Sequence, residues 1–246
     1  MPQATGVSKS TIVAEDYNMS ASRPDGISAI LLDLDGTLVD SAAELALALN
    51  AALGPMGRRH LAVDEVRAMI GDGVVVLTRK ALAATGGVPD EAGFTAALAD
   101  VRHAYDRLPA SPLYPGVADT LSRLKATGYT LAVCTNKPEG PARRLMRQLS
   151  LDHLIDGLAG GDSFAVKKPD PGHITGLLTG LGVAPDRAVM VGDSGNEAQA
   201  ARGAGLPFIA VAYGYCKGTV ADLAADAVLE TFADLPDAVA RLALRR

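Results

Sequence analysis

The sequence predicts an α/β protein in which a mostly parallel sheet carries helices on both faces and a small helical domain is inserted near the start. Short apolar runs of strand length, at 27–32, 130–134, 188–191 and 207–211, alternate with segments of helical periodicity. Strands that alternate with helices indicate a parallel sheet. The 246 residues are enough for one such core and a smaller domain.

Residues 42–112 form the predicted insert, because they combine helical periodicity with almost no strand pattern. Helical spacing begins at Ala42, and the alternation of helices and strands resumes at Tyr114. We therefore expect the α/β core to comprise 27–41 and 113–246.

Within the core, predicted helices follow the predicted strands. Gly128 ends the first helix, and Pro141 lies in the first turn of the second, where its missing N–H costs little. A weak strand is predicted at 154–159. The predicted helices span 117–127, 141–149, 173–181 and 197–204.

The composition is that of an ordinary globular chain, with 48% hydrophobic and 21% charged residues. Lys and Arg number 23 against 28 Asp and Glu, so the formal net charge is −5. This mildly acidic balance, with scattered basic residues, argues against binding to nucleic acid or to an anionic membrane. The apolar runs are too short and too often interrupted by charge to cross a bilayer.

Residues 1–26 are polar and irregular, and they predict a mobile tail. They lack the basic region and apolar stretch of a secretory signal. Cys134 and Cys216 match no metal-ligand or redox spacing, and reduced thiols are the simplest interpretation. We therefore expect a cytoplasmic protein, either a monomer or a homodimer.

Polar side chains follow three of the predicted strands directly. Asp33 and Asp35 follow the first, Thr135 and Asn136 the second, and Asp193 a later one. In sheets of this kind, ligands bind beyond the carboxyl ends of the strands. These side chains should therefore converge on one crevice.

Each of these signals also has a plain structural interpretation. Asp35-Gly36 is a common turn sequence, Asp193 fits a helix cap, and Lys168 fits a solvated loop. However, carboxylate oxygens suit Mg²⁺ that also binds a substrate phosphate, and a lysine on a segment stiffened by two following prolines can neutralise that phosphate. It is the conjunction of these residues in a fixed order that predicts a site.

Taken together, four segments resemble the motifs of the haloacid dehalogenase superfamily of phosphatases, whose core is Rossmann-like. The resemblance covers residues 27 to about 240. The segments are Asp33-Leu34-Asp35-Gly36-Thr37, Val133-Cys134-Thr135-Asn136, Lys168-Pro169 and Val191-Gly192-Asp193-Ser194.

The resemblance implies a role for each matching residue. Asp33 would attack phosphorus, Asp35 would act as general acid and base, and Thr135 and Lys168 would act on the transferring phosphoryl group. Mg²⁺ would be held by Asp33, by the backbone carbonyl of Asp35 and by Asp193. The residues implied beside the phosphate are Gly36, Thr37 and Asn136.

Further segments are similar to the phosphoglycolate phosphatase branch, namely 134–138, 160–163, 168–171 and 208–215. The resemblance implies a small phosphorylated metabolite as substrate, with 2-phosphoglycolate favoured, and it implies that the helical insert is a cap domain.

Two groups of charged or titratable residues lie outside the motifs. In the cap, Arg79 or Lys80 could reach a substrate carboxylate, although surface charge on a helix is the simpler interpretation of either. The four histidines match no metal-ligand spacing and predict surface or helix-cap positions: His60, His103, His153 and His173.

One position departs from the family pattern. The fourth motif usually carries a second Asp four positions after the first, and here Glu197 stands there. Its longer side chain could shift the metal or its water shell, and we expect it to lie outside the inner ligands. Three alternatives stay open: a β-phosphoglucomutase-like phosphomutase, a sugar-phosphate phosphatase, and a catalytically silent regulator that binds phosphate or Mg²⁺.

Overall fold

A computed structural model of the chain describes residues 26–244 and confirms the predicted α/β class. Apart from Gly26, the predicted N-terminal tail lies outside the described residues. All six strands of the described sheet pair in parallel, in the order β3-β2-β1-β4-β5-β6. The strands are β1 (Ala29–Leu32), β2 (Thr130–Cys134), β3 (Gly157–Ala159), β4 (Ala188–Gly192), β5 (Phe208–Val211) and β6 (Ala227–Leu229).

Helices cover both faces of this sheet. Along β1, Ile30 and Leu32 face one apolar cluster while Ala29 and Leu31 face the other, and all four are fully buried. Successive strand side chains point to opposite faces, so a strand covered on both sides is a continuous apolar run. The α-helices are α1 (Ala42–Leu53), α2 (Val63–Arg67), α3 (Val74–Ala84), α4 (Glu91–Tyr105), α5 (Val117–Ala126), α6 (Glu139–Gln148), α7 (Pro171–Leu181), α8 (Gly195–Ala204) and α9 (Leu235–Ala243).

The helices α1 to α4 share a third apolar cluster, which includes Leu49, Leu77 and Phe94. The chain enters and leaves this helical group along two adjacent antiparallel segments. The N–H of Asp40 donates to the carbonyl oxygen of Pro112 at 3.0 Å, and the N–H of Tyr114 donates to that of Leu38 at 3.0 Å.

The elements differ from the predictions mainly at their ends. The helix predicted from 141 begins at Glu139, because the Asp162 carboxylate accepts from the Glu139 N–H at 2.7 Å. The strand predicted at 154–159 shortens to β3, because a 3-10 turn occupies Asp152–Leu154. The sequence patterns predict neither β6 nor α9. Within the described residues, no helix combines the length and the apolarity that crossing a membrane requires.

Candidate active site

A buried lysine joins two carboxylates at the centre of the sheet's carboxyl edge. Asp33 follows β1, and its N–H donates to the Val191 carbonyl oxygen at 2.9 Å, which continues the ladder to β4. The Lys168 Nζ lies 2.8 Å from Asp33 Oδ1 and 2.7 Å from Glu197 Oε1. Lys168 is 1% exposed, so it is a wholly internal cation.

Burial and the neighbouring charges shift the titration of this group. Burial raises the pKa of Asp33 to about 6; the Lys168 ammonium opposes the rise and the Glu197 carboxylate adds to it. Burial would lower the pKa of Lys168, but attraction to Asp33 and Glu197 outweighs this and raises it. Lys168 therefore stays charged beside the strand end.

Asp193 follows β4 and is held by groups from two other loops. Its Oδ2 accepts from the Tyr215 N–H at 2.6 Å, and its Oδ1 accepts from the Thr37 hydroxyl at 3.3 Å. Gly36 has a φ of +88°, and a Cβ there would lie 2.3 Å from Asp193 Oδ2. The turn after β1 can therefore approach Asp193 only because position 36 is glycine.

The carboxylates of Asp33, Asp193 and Glu197 form a cluster that fits a divalent cation. One oxygen of each lies within 4.8 Å of the others, and all three residues are buried. Burial, with repulsion from Glu197 and Asp33, raises the pKa of Asp193 well above its usual range. With all three acids ionised, the Lys168 ammonium balances one of their three negative charges. A divalent cation, which prefers oxygen ligands, would balance the other two.

Glu197 contributes to this cluster through a side chain that is already bonded. Besides the contact with Lys168, its Oε2 accepts from the Ser194 N–H at 3.0 Å and from the Ser194 hydroxyl. These bonds form a capping box at the start of α8. The longer side chain at this position thus joins the helix start to the internal lysine.

Asp35, which is partly exposed, forms a second ion pair with the buried Lys137. The Lys137 Nζ lies 3.0 and 3.2 Å from the two Asp35 carboxylate oxygens, and 4.7 Å from the centre of the Tyr105 ring on α4. Burial would lower the pKa of Lys137, but attraction to Asp35 and Tyr105 raises it overall. Lys137 therefore connects the second acid of the first motif to the helical insert.

Thr135 and Asn136 lie where the sequence predicted them, after β2. Thr135 is 1% exposed and lines a cavity of about 50 Å³ together with Asp33, Asp35 and Asn136. The Asn136 amide nitrogen donates to the carbonyl oxygens of Gly71 and Lys168, both at 2.9 Å. Gly36, Thr37 and Asn136 thus lie at the site, and their contact with a phosphate stays a prediction.

The loop at 71–73 of the insert contacts the core beside this cavity. Asn196 donates to the Gly71 carbonyl oxygen at 3.1 Å and to Asp72 Oδ1 at 3.0 Å, and Lys167 donates to the Asp72 carbonyl oxygen at 2.7 Å. These bonds bring the insert directly over the carboxylates.

Arg79 and Lys80 of the helical insert have partners within the insert. The Arg79 guanidinium lies 4.1 Å from the centre of the Phe94 ring, and Lys80 pairs with Asp72 at 2.5 Å. Both cations thus contact groups of the helical insert itself, and their contact with a substrate carboxylate stays a prediction.

His173 contradicts the prediction of a surface or cap position. It is fully buried on α7, whose N-cap is Asp170. Its Nδ1 lies 3.2 Å from the Lys168 nitrogen, and its Nε2 lies 3.0 Å from the Gly160 carbonyl oxygen. A backbone N–H can only donate, so we assign the acceptor to Nδ1 and the ring proton to Nε2. Neutral His173 thereby holds the backbone of the internal lysine.

Comparison with known proteins identifies the family. The model of the haloacid dehalogenase-like hydrolases matches residues 27–205. The chain is 43% identical over 215 residues to a phosphoglycolate phosphatase of Rhodospirillum rubrum, covering 85% of this chain and 89% of the relative.

Two solved structures agree with this assignment. A predicted phosphoglycolate phosphatase from Haemophilus somnus superposes with a TM-score of 0.83 at 33% identity, covering 87% of this chain and 98% of that one. CbbY from Rhodobacter sphaeroides, in complex with phosphate, superposes with a TM-score of 0.73 at 30% identity, over 85% and 96%. The chain belongs to the haloacid dehalogenase-like hydrolases. It is an enzyme of the phosphomonoester hydrolase class.

Sequence inspection missed the roles of Lys137 and His173. Lys137 lies inside the segment 134–138, and its place directly after Asn136, near the same strand end, was the available signal. His173 follows Lys168 by five residues, and nothing in its spacing indicates which backbone groups it binds.

Proposed function

We propose that this enzyme hydrolyses 2-phosphoglycolate to glycolate and phosphate through an aspartyl-phosphate on Asp33, with Mg²⁺ as cofactor. The observation that carries the proposal is the buried set of Asp33, Lys168, Asp193 and Glu197 at the end of the two central strands. The names of the relatives support 2-phosphoglycolate as the substrate.

Asp33 is the proposed nucleophile. Its carboxylate oxygen attacks phosphorus while the bond from phosphorus to the ester oxygen breaks. Lys168 keeps Oδ1 oriented from 2.8 Å and neutralises charge that builds up on the phosphoryl oxygens. Thr135, which lines the same cavity, would donate its hydroxyl to one of those oxygens.

Asp35 is the proposed proton carrier. It gives a proton to the leaving alkoxide in the first step. In the second step it takes a proton from the water that attacks phosphorus, which releases phosphate and restores the Asp33 carboxylate. Each turnover therefore consumes one water and returns both acids to their starting state.

Mg²⁺ would be held by the carboxylates of Asp33 and Asp193 and by the backbone carbonyl of Asp35, with Glu197 outside them. When bound, the ion supplies positive charge that offsets the repulsion between the Asp33 carboxylate and the substrate phosphate. Thr37 and the Tyr215 N–H fix the orientation of Asp193 toward that position.

The helical insert at 42–112 is the proposed cap over this site. Its 71–73 loop bonds to Asn136 and Asn196, which follow strands β2 and β4. Closure of such a cap excludes water from the aspartyl-phosphate and completes the leaving-group cavity.

The proposed function is tested by phosphate release from 2-phosphoglycolate and a panel of small phosphomonoesters, with Mg²⁺ and with EDTA. Release that needs the metal, is fastest on 2-phosphoglycolate and is absent from Asp33→Asn supports it. A faster rate on a sugar phosphate would reassign the substrate. No release from any ester, or full activity in Asp33→Asn, would contradict the mechanism.

A further inference from the structure

Lys137 binds the carboxyl group of Asp35, which must be free to act as the acid in the proposed reaction. It contacts both Asp35 oxygens, at 3.0 and 3.2 Å. A carboxylate held through both oxygens points its open end at its partner. In this arrangement the open end of Asp35 faces the ammonium group of Lys137 and not a leaving oxygen.

Lys137 is also accessible from the side where a leaving group would lie. It lines the 50 Å³ cavity together with Asp33 and Asp35. It also lines a neighbouring cavity of about 410 Å³ between the core and the insert, together with Tyr105 and Arg102. The ion pair of Asp35 and Lys137 therefore stands between the phosphoryl position and the space for the leaving group.

The charge of the larger cavity favours an anionic leaving group. Of its two acids, Asp106 is paired with Arg144, whereas Asp162 accepts from the Glu139 N–H and keeps its charge. Lys167, in the same lining, donates to a carbonyl oxygen rather than to a carboxylate. With Lys137 balanced by Asp35, the cations Arg102 and Lys167 outweigh Asp162, and the lining attracts a negative group.

We propose that a carboxylate on the leaving group replaces Asp35 on Lys137, and that this exchange frees Asp35 to turn toward the ester oxygen. The proposal rests on the proposed function and deepens it. It assigns as substrates the phosphomonoesters whose ester carbon carries a carboxylate. Lys137 then favours carboxylate-bearing substrates twice, because they bind more tightly and because their chemical step is faster.

The exchange keeps Lys137 paired throughout. Asp35, whose side chain is partly exposed, takes up a proton from solvent as it leaves Lys137 and so faces the ester oxygen as the neutral acid. A buried ammonium group left alone is strongly destabilising, whereas one carboxylate can replace another on it at little cost. In 2-phosphoglycolate a single methylene separates the ester oxygen from the carboxylate. Both groups therefore fall within the span of the adjacent Asp35 and Lys137 side chains.

The test compares 2-phosphoglycolate with ethyl phosphate, which has a methyl group in place of the carboxylate. In Lys137→Met we expect kcat/KM for 2-phosphoglycolate to fall roughly 10- to 100-fold, the range for losing a charged hydrogen bond. We expect kcat for ethyl phosphate to rise, because Asp35 is no longer held. Arg102→Met is the matched control: it removes a cavity cation without releasing Asp35, so it should weaken 2-phosphoglycolate and leave ethyl phosphate without a gain.

A second measurement uses the unaltered enzyme and so does not depend on the folding of a variant. Formate added with methyl phosphate supplies the two parts of the substrate separately. We expect formate to accelerate methyl phosphate hydrolysis in a saturable way. No acceleration by formate, or an equal loss of activity on both esters in Lys137→Met, would overturn this inference. The proposed function would still stand if the unaltered enzyme hydrolyses 2-phosphoglycolate. An unaltered enzyme inactive on 2-phosphoglycolate would instead overturn the proposed function.

Discussion

Protonation of His173 should destabilise the folded enzyme, by an amount that follows from its surroundings. Burial, with the nearby Lys168 charge, lowers the pKa of His173 from 6.5 to about 4. The neutral ring accepts from the Lys168 N–H and donates to the Gly160 carbonyl oxygen. Adding a proton to Nδ1 removes the first of these bonds and places a cation beside the buried ammonium group.

The sign of the effect follows from the two pKa values. The folded-state pKa lies below the unfolded value, so the unfolded chain binds this proton more readily. The stabilisation is complete above pH 6.5 and is lost as the pH falls toward 4. Proton linkage gives a loss of about 2 kcal/mol from pH 7 to pH 5, and about 3 kcal/mol by pH 4.

The assay is urea unfolding of the wild type and of His173→Asn at several pH values. The Asn Oδ1 can keep the bond from the Lys168 N–H but does not titrate. We therefore expect the stability advantage of the wild type over His173→Asn to shrink by about 2 kcal/mol between pH 7 and pH 5. The exposed His153 gives the control, since His153→Asn should show no such trend. A difference that stays constant with pH would refute the reasoning.

Three further predictions follow from the same site. His173→Gln can keep only the donor to Gly160, so its kcat should fall further below wild type than that of His173→Asn, measured at pH 7. Glu197→Gln removes one of the three clustered carboxylates, and Mg²⁺ affinity measured by titration calorimetry should drop roughly 10- to 100-fold; unchanged affinity would exclude Glu197 from the metal's surroundings. Gly36→Ala should also lose Mg²⁺ affinity, because the new Cβ would collide with Asp193. Gly128→Ala is its control: the φ is +89° but the space is open, so stability alone should fall, by about 1 kcal/mol.

The sequence allowed the central sheet to be predicted because its signals are local. β1 and β4 are apolar runs buried on both faces, and Asp33 and Asp193 follow them directly. The parallel arrangement then brings those two residues together without further information. By contrast, β6 has three residues with one buried, and this edge strand gives too short a pattern to recognise.

The side-chain partnerships at the site could not be predicted in the same way. Asp35 and Lys137 are 102 positions apart, and only the closing of the cavity by the insert places Tyr105 beside them. The burial of His173 could not be predicted from residue spacing, because its hydrogen-bond partners are backbone atoms. The positions after strands were therefore predictable, while the bonds between them depend on the packed fold.

The most direct test of the central claim is to trap the phosphate on the enzyme. The protein is mixed with ³²P-labelled 2-phosphoglycolate and Mg²⁺, quenched in acid within one turnover, and its peptides are mapped by mass spectrometry, with Asp33→Asn in parallel. The proposed mechanism predicts acid-stable, base-labile label on the peptide that contains Asp33, and none in the variant. Active enzyme that carries no label, or label on a peptide without Asp33, would contradict it.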